Sequence, residues 1–91
     1  MQLEFWPDYG PGPLWEQGKP ADLRSLGLPP DLAEQLMSWN SQFEEDKVPL
    51  SGPGDAGWVA DGVHLLRQVR LALGAGYNVV VTEPWWGEAP V

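Results

Sequence analysis

Polar and apolar positions alternate over residues 2–6, Gln-Leu-Glu-Phe-Trp. Leu3 and Phe5 fall on one side, Glu4 and Trp6 on the other, which is the period of a short strand. Pro7 lacks an N–H and ends it. Further on, Leu32, Leu36, Trp39 and Phe43 recur at helical spacing and predict a helix over 30–47. Pro30 suits its first position, and Asp31 and Glu34 face the positive end of its dipole. Glu44, Glu45 and Asp46 are wrongly signed for a helix C-terminus, so fraying is expected there, and Val48-Pro49 stops the helix. Trp58, Gly62, Leu65, Val69 and Ala72, widened by Leu66 and Leu73, predict a second helix over 56–73. Asp55 is its N-cap candidate, Arg67 and Arg70 suit its last turns, and Gly74 or Gly76 supplies a C-cap. Gly62 in mid-helix costs about 0.5–1 kcal/mol relative to Ala. Close approach of a large ring such as Trp39 would compensate. Residues 77–82 are β-branched and continuous, which predicts a second strand.

Between these elements the chain is punctuated. Residues 7–30 hold prolines and glycines at a density that predicts no regular element. Trp6, Tyr9, Leu14 and Trp15 nevertheless sit in or beside the segment. It therefore reads as an ordered loop packed on the core, its second half anchored by Leu23, Leu26 and Leu28. Residues 50–57 form a loop, and 83–91 a short tail. The fold class is α+β: a short strand, a long ordered loop, a two-helix hairpin and a short strand. The two strands would pair as a small two-stranded sheet packed on the helices. Two strands alone are marginal. A homodimer could extend the sheet across a two-fold axis, so monomer and homodimer both stay open.

Composition narrows the class. Ninety-one residues make one domain, 1–91, and exclude two separate enzymatic domains. No cysteine is present, so there is no disulfide scaffold and no thiolate metal site. The start Met1-Gln2-Leu3-Glu4 does not read as a signal peptide, and no apolar run approaches the roughly 20 residues that span a bilayer. The expectation is a soluble cytoplasmic protein. Thirteen acidic side chains against five basic ones give a formal net charge of -8. That balance argues against nucleic acid and anionic membranes, and is compatible with a basic protein partner. It also serves simply to keep a Trp-rich surface soluble.

Candidate chemistry is thin. His64 is the only histidine, and Ser25, Ser38, Ser41 and Ser51 carry no elbow motif around them. Glu44-Glu45-Asp46, and Asp55 with Asp61, do not follow the calcium-loop pattern and read as solvated charge. Gly52-x-Gly54-x-x-Gly57 matches a dinucleotide fingerprint but has no strand leading into it. No catalytic residue, metal ligand, cofactor site or cofactor is assigned. The aromatic set is more informative. Trp39 and Trp58 lie on apolar stripes and belong to the core. Trp6, Tyr9, Trp15, Trp85 and Trp86 lie at element ends or in loops. They either pack the loop and tail or form an exposed patch of the kind that dominates interfaces. With Asp8 beside them, Trp6, Tyr9, Trp15, Trp85 and Trp86 are the candidate partner or ligand surface.

The opening Glu4-Phe5-Trp6-x-Asp8-Tyr9-Gly10 with Pro13-Leu14-Trp15 resembles that of a group of small bacterial proteins without assigned activity. So do Leu28-x-Pro30-x-Leu32, Leu36-x-x-Trp39, Trp58 to Gly62 and Leu65-Leu66. The resemblance implies a shared fold and carries over no catalytic residue. The residues themselves point to a non-enzymatic interaction domain, such as an acidic inhibitor or immunity-type partner of a basic toxin. A small-ligand or carbohydrate-binding module using the loop aromatics is the alternative. An enzyme acting through Asp8, Glu16 or His64 is the third.

Overall fold

Leu3 and Phe5 are fully buried on one side of the first strand, β1 (Gln2–Phe5), as their alternation requires. The computed structural model describes residues 1–50 and 52–91; Ser51 lies outside the described residues. β2 (Leu14–Glu16) and β3 (Lys19–Pro20) follow, then α1 (Pro30–Ser41), α2 (Ala56–Leu73) and β4 (Asn78–Val81). Short 3-10 turns occupy Glu45–Lys47, Gly74–Gly76 and Pro84–Trp86. The fold is α+β.

The sheet has four strands in the order β3-β2-β1-β4, where the sequence predicted two. β1 and β4 do pair, in parallel, with Phe5 opposite Val81. β1 also pairs antiparallel with β2, which pairs antiparallel with β3. The two extra strands come from the segment expected to lack regular structure. Its punctuation builds a hairpin: Gln17 (φ 51°) and Gly18 (φ 79°) are both left-handed, as a two-residue hairpin turn requires. Pro20 is tolerated because β3 is an edge strand.

Both sheet edges are blunted. β3 is two residues long and ends in proline. On β4, Arg70 donates to the Val79 carbonyl from Nε (3.3 Å) and Nη2 (2.7 Å), and the Val91 N–H meets the Val81 carbonyl at 2.9 Å. Sheet extension across a dimer axis therefore has no long free edge to use.

The helices cover the face that carries Leu3, Phe5, Leu14, Val79 and Val81. In α1, Leu32, Leu36 and Trp39 are buried and Phe43 beyond its end is half-buried. α1 stops at Ser41, six residues before the expected Lys47. The acidic run, disfavoured at a helix C-terminus, forms its own turn instead. In α2, Trp58, Gly62, Leu65, Leu66 and Val69 are buried, while Ala72 is exposed. The Asp55 carboxylate accepts the Trp58 N–H at 3.0 Å, and Gly74 closes the helix at φ 65°. Gly62 does meet Trp39: a Cβ there would collide with Trp39 Cζ2 and lie 2.8 Å from Trp86 Cζ3.

Residues 83–91 are more than an appendage. Trp86 is 2% exposed and packs edge-on against Phe5 (5.4 Å, 89°). Arg70 donates to the Glu88 carboxylate from both terminal guanidinium nitrogens, Nη1 at 2.7 Å and Nη2 at 2.6 Å.

Candidate partner-binding cleft

Three chain segments meet beyond the C-terminal ends of the parallel strands. Trp6, Pro7, Asp8 and Tyr9 follow β1; Thr82, Glu83 and Trp85 follow β4. Phe43, Glu45, Val48 and Leu50 come from the α1–α2 connection. Together they line a cleft of about 380 Å³. Such a position follows from topology, because loops leaving the same ends of neighbouring parallel strands converge.

The cleft is built on buried supports. Asn40, at the end of α1, is 2% exposed. Its Oδ1 accepts the Asp8 N–H (3.1 Å), and its Nδ2 donates to the carbonyls of Asp8 (3.0 Å) and Gly10 (3.1 Å). One side chain thereby fixes the backbone on both sides of Tyr9. The Tyr9 ring stands edge-on to Phe43 (5.1 Å, 64°), which leans on Trp58 (6.1 Å). Trp85 contacts buried Trp86 at 6.2 Å. Trp6 is stacked flat on Trp15 (4.0 Å, 3°), whose Nε1 donates to the Trp6 carbonyl at 2.9 Å. Tyr9 and Leu50 stay 64% and 65% exposed at the rim.

The charge of the cleft has one sign. Asp8, Glu45 and Glu83 line it, with no Lys or Arg. None of the three has an ion-pair partner among the described residues. Lys47 is engaged with Asp55 at 3.4 Å, and Arg70 with Glu88. Partial desolvation, then the carboxylates of Glu44 and Glu45, push the Tyr9 phenol above its ordinary range.

Of the six surface candidates, Trp6, Asp8, Tyr9 and Trp85 line this cleft. Trp15 and Trp86 are corrected: at 7% and 2% exposure they are supports rather than contact surface. Trp15 is covered by Trp6, and Trp86 is enclosed by Phe5, Trp39 and Trp85. The sequence places Phe43 on a helix stripe and Glu45 in a solvated charge run, and nothing in one dimension links residues 43–50, or Glu83, to residues 6–9 as one surface. Asn40 escaped the sequence reading; a polar side chain four residues after Leu36, on the apolar stripe, was the available signal.

A second groove, about 580 Å³, lies between the helices and includes Asp31, Glu34, Ser38, Asp61 and His64. His64 is exposed, and no hydrogen bond joins it to Ser38 or to a carboxylate among the described residues. A nucleophile–base–orienter relay is therefore not assembled. Among the described residues no three metal-ligating side chains converge, and no helix is long and apolar enough to cross a membrane.

Fold and surface together define a small acidic α+β domain whose distinctive feature is a recessed aromatic cleft. The chain belongs to the family described as Serratia CdiI immunity protein-like, which matches residues 1–84. No curated protein matches the chain.

Proposed function

We propose that this chain is a non-enzymatic immunity protein that neutralises a basic toxin domain by binding it through the cleft beyond β1 and β4. The observation that carries the reading is the coincidence, within the matched residues 1–84, of the rings of Trp6, Tyr9 and Phe43 with three carboxylates that have no ion-pair partner among the described residues, Asp8, Glu45 and Glu83. Aromatic anchors supply contact area at low entropy cost, and unpaired charge of one sign steers an oppositely charged partner. The net charge of -8 acts in the same direction over longer range.

Co-production with the toxin domain encoded beside its gene tests this directly. Restored growth and a stoichiometric complex whose affinity falls steeply with salt are expected. Absence of both protection and complex would sink the proposal. The cleft volume also lies in the range of small-ligand sites, roughly 300–1,000 Å³. Trp fluorescence changes with a sugar panel, without toxin binding, would favour that second reading.

A further inference from the structure

We propose that the cleft is an arginine pocket, which receives the side chain of an arginine presented by the partner protein. The inference rests on the immunity reading for the source of that side chain, but its chemistry comes from the cleft itself.

Two features select a cation. Tyr9, Phe43 and Trp85 supply ring surface, and Asp8, Glu45 and Glu83 supply carboxylates. The carboxylates have no internal counter-ion among the described residues, since Lys47 and Arg70 are committed to Asp55 and Glu88. An aromatic wall edged by carboxylates offers a cation both ring-face attraction and charge-assisted hydrogen bonds. An anion or a phosphate backbone would meet repulsion at the same place.

Arginine fits this combination better than lysine. A guanidinium is planar, weakly hydrated and able to stack on a ring while forking onto a carboxylate. An ammonium is strongly hydrated, and entering a cleft lined by rings strips that water. The same pairing occurs within this molecule: Arg70 forks onto Glu88 with two short bonds.

The walls are also preorganised. Asn40 holds the loop at Asp8 and Gly10, Phe43 backs Tyr9, and Trp86 backs Trp85. Side chains already held by buried neighbours lose little freedom when a guest enters.

The test titrates the isotopically labelled full chain with N-acetyl-Gly-Arg-Gly-amide, followed by amide and indole NMR shifts. The lysine and citrulline peptides serve as comparisons. Citrulline keeps the shape of arginine and removes its charge. Shifts centred on the amides of Trp6, Asp8, Tyr9 and Glu83 and on the Trp85 indole are expected, with arginine at least tenfold tighter than citrulline and tighter than lysine. The Glu45→Gln/Glu83→Gln double variant, whose folding is checked by its thermal transition, should weaken the arginine peptide about tenfold. Equal binding of citrulline, no shifts, or shifts centred on the His64 groove would overturn the inference. Growth protection is scored separately. Protection without arginine binding removes the pocket and leaves the immunity role; arginine binding with neither protection nor a toxin complex does the reverse.

Discussion

Trp39 and Trp58 hydrogen-bond each other twice. The Trp39 indole N–H donates to the Trp58 carbonyl at 2.8 Å, and the Trp58 indole N–H donates to the Trp39 carbonyl at 3.1 Å. Their rings stack at 4.2 Å and 9°. Each ring thus satisfies its one polar atom on the other helix, and the pair clamps α1 to α2. Trp86 nearby has no such partner: its Nε1 is buried without an acceptor among the described residues.

That contrast predicts unequal costs. Trp39→Phe removes ring volume and a buried hydrogen bond, and should destabilise by about 2–4 kcal/mol. Trp86→Phe removes ring volume alone, and should cost about 1 kcal/mol less than Trp39→Phe. Urea unfolding of the two variants measures the difference; equal losses would show that the reciprocal bonds contribute nothing net.

Gly62→Ala should destabilise, although alanine is the better helix former. The propensity gain is about 1 kcal/mol. The new methyl would press into Trp39 and Trp86, both boxed in by other rings, and overpacking of this kind costs about 1–3 kcal/mol. A lowered urea midpoint is expected. A raised midpoint would mean that the rings shift freely.

Asn40→Ala should affect both stability and binding. It removes three hydrogen bonds and leaves part-buried backbone groups of Asp8 and Gly10 to be satisfied by water, a loss of about 1–3 kcal/mol. Hydrogen exchange at the Asp8 amide should quicken more than exchange in α2. On the proposed immunity role, affinity for the toxin domain should fall in parallel, because Tyr9 and Asp8 lose their fixed position.

Tyr9→Ala and Leu50→Ser probe the rim. Both side chains are mostly exposed, so stability should change by about 0.5 kcal/mol or less. Toxin affinity should fall at least tenfold for Tyr9→Ala if it is an interface anchor. Calorimetric titration beside a thermal melt separates the two effects.

Acid should weaken the tail. The Arg70 hydrogen bonds, partly opposed by desolvation and aided by its charge, hold Glu88 below the usual carboxylate range. A carboxyl lowered in the folded state stabilises above its unfolded value, and the contribution disappears as pH falls through the folded value. Both side chains are over a third exposed, so screening limits the contribution to about 1 kcal/mol or less. The stability gap between the wild type and Glu88→Gln should be open at neutral pH and close on acidification below the carboxylate range.

Much of the scaffold was legible locally. The alternation of Leu3 and Phe5, the stripes through Trp39 and Trp58, the Asp55 cap and the Gly74 stop are each set within a few residues of chain, where backbone sterics and side-chain period dominate. Gly62 was legible for a related reason: a glycine in an otherwise good helix marks space needed by something large. The hairpin through Gln17 and Gly18 was lost because glycines and prolines break helices and also make tight turns, and composition alone does not separate those roles.

Fold class, the Asp55 and Gly74 caps, the buried stripes and the acidic charge are all written in local stretches of chain. Which aromatic side chains face solvent depends on the packing of the whole fold. That packing buried Trp15 and Trp86, left Tyr9 at the rim and brought Phe43, Glu45 and Glu83 beside Asp8. The physical reason lies in range. Period and capping act over a turn or two of chain, whereas the cleft exists only because β1 and β4 run parallel and deliver their loops to the same end of the sheet. The charge of -8 is uniform information in one dimension; the fold concentrates three of its carboxylates around a set of rings.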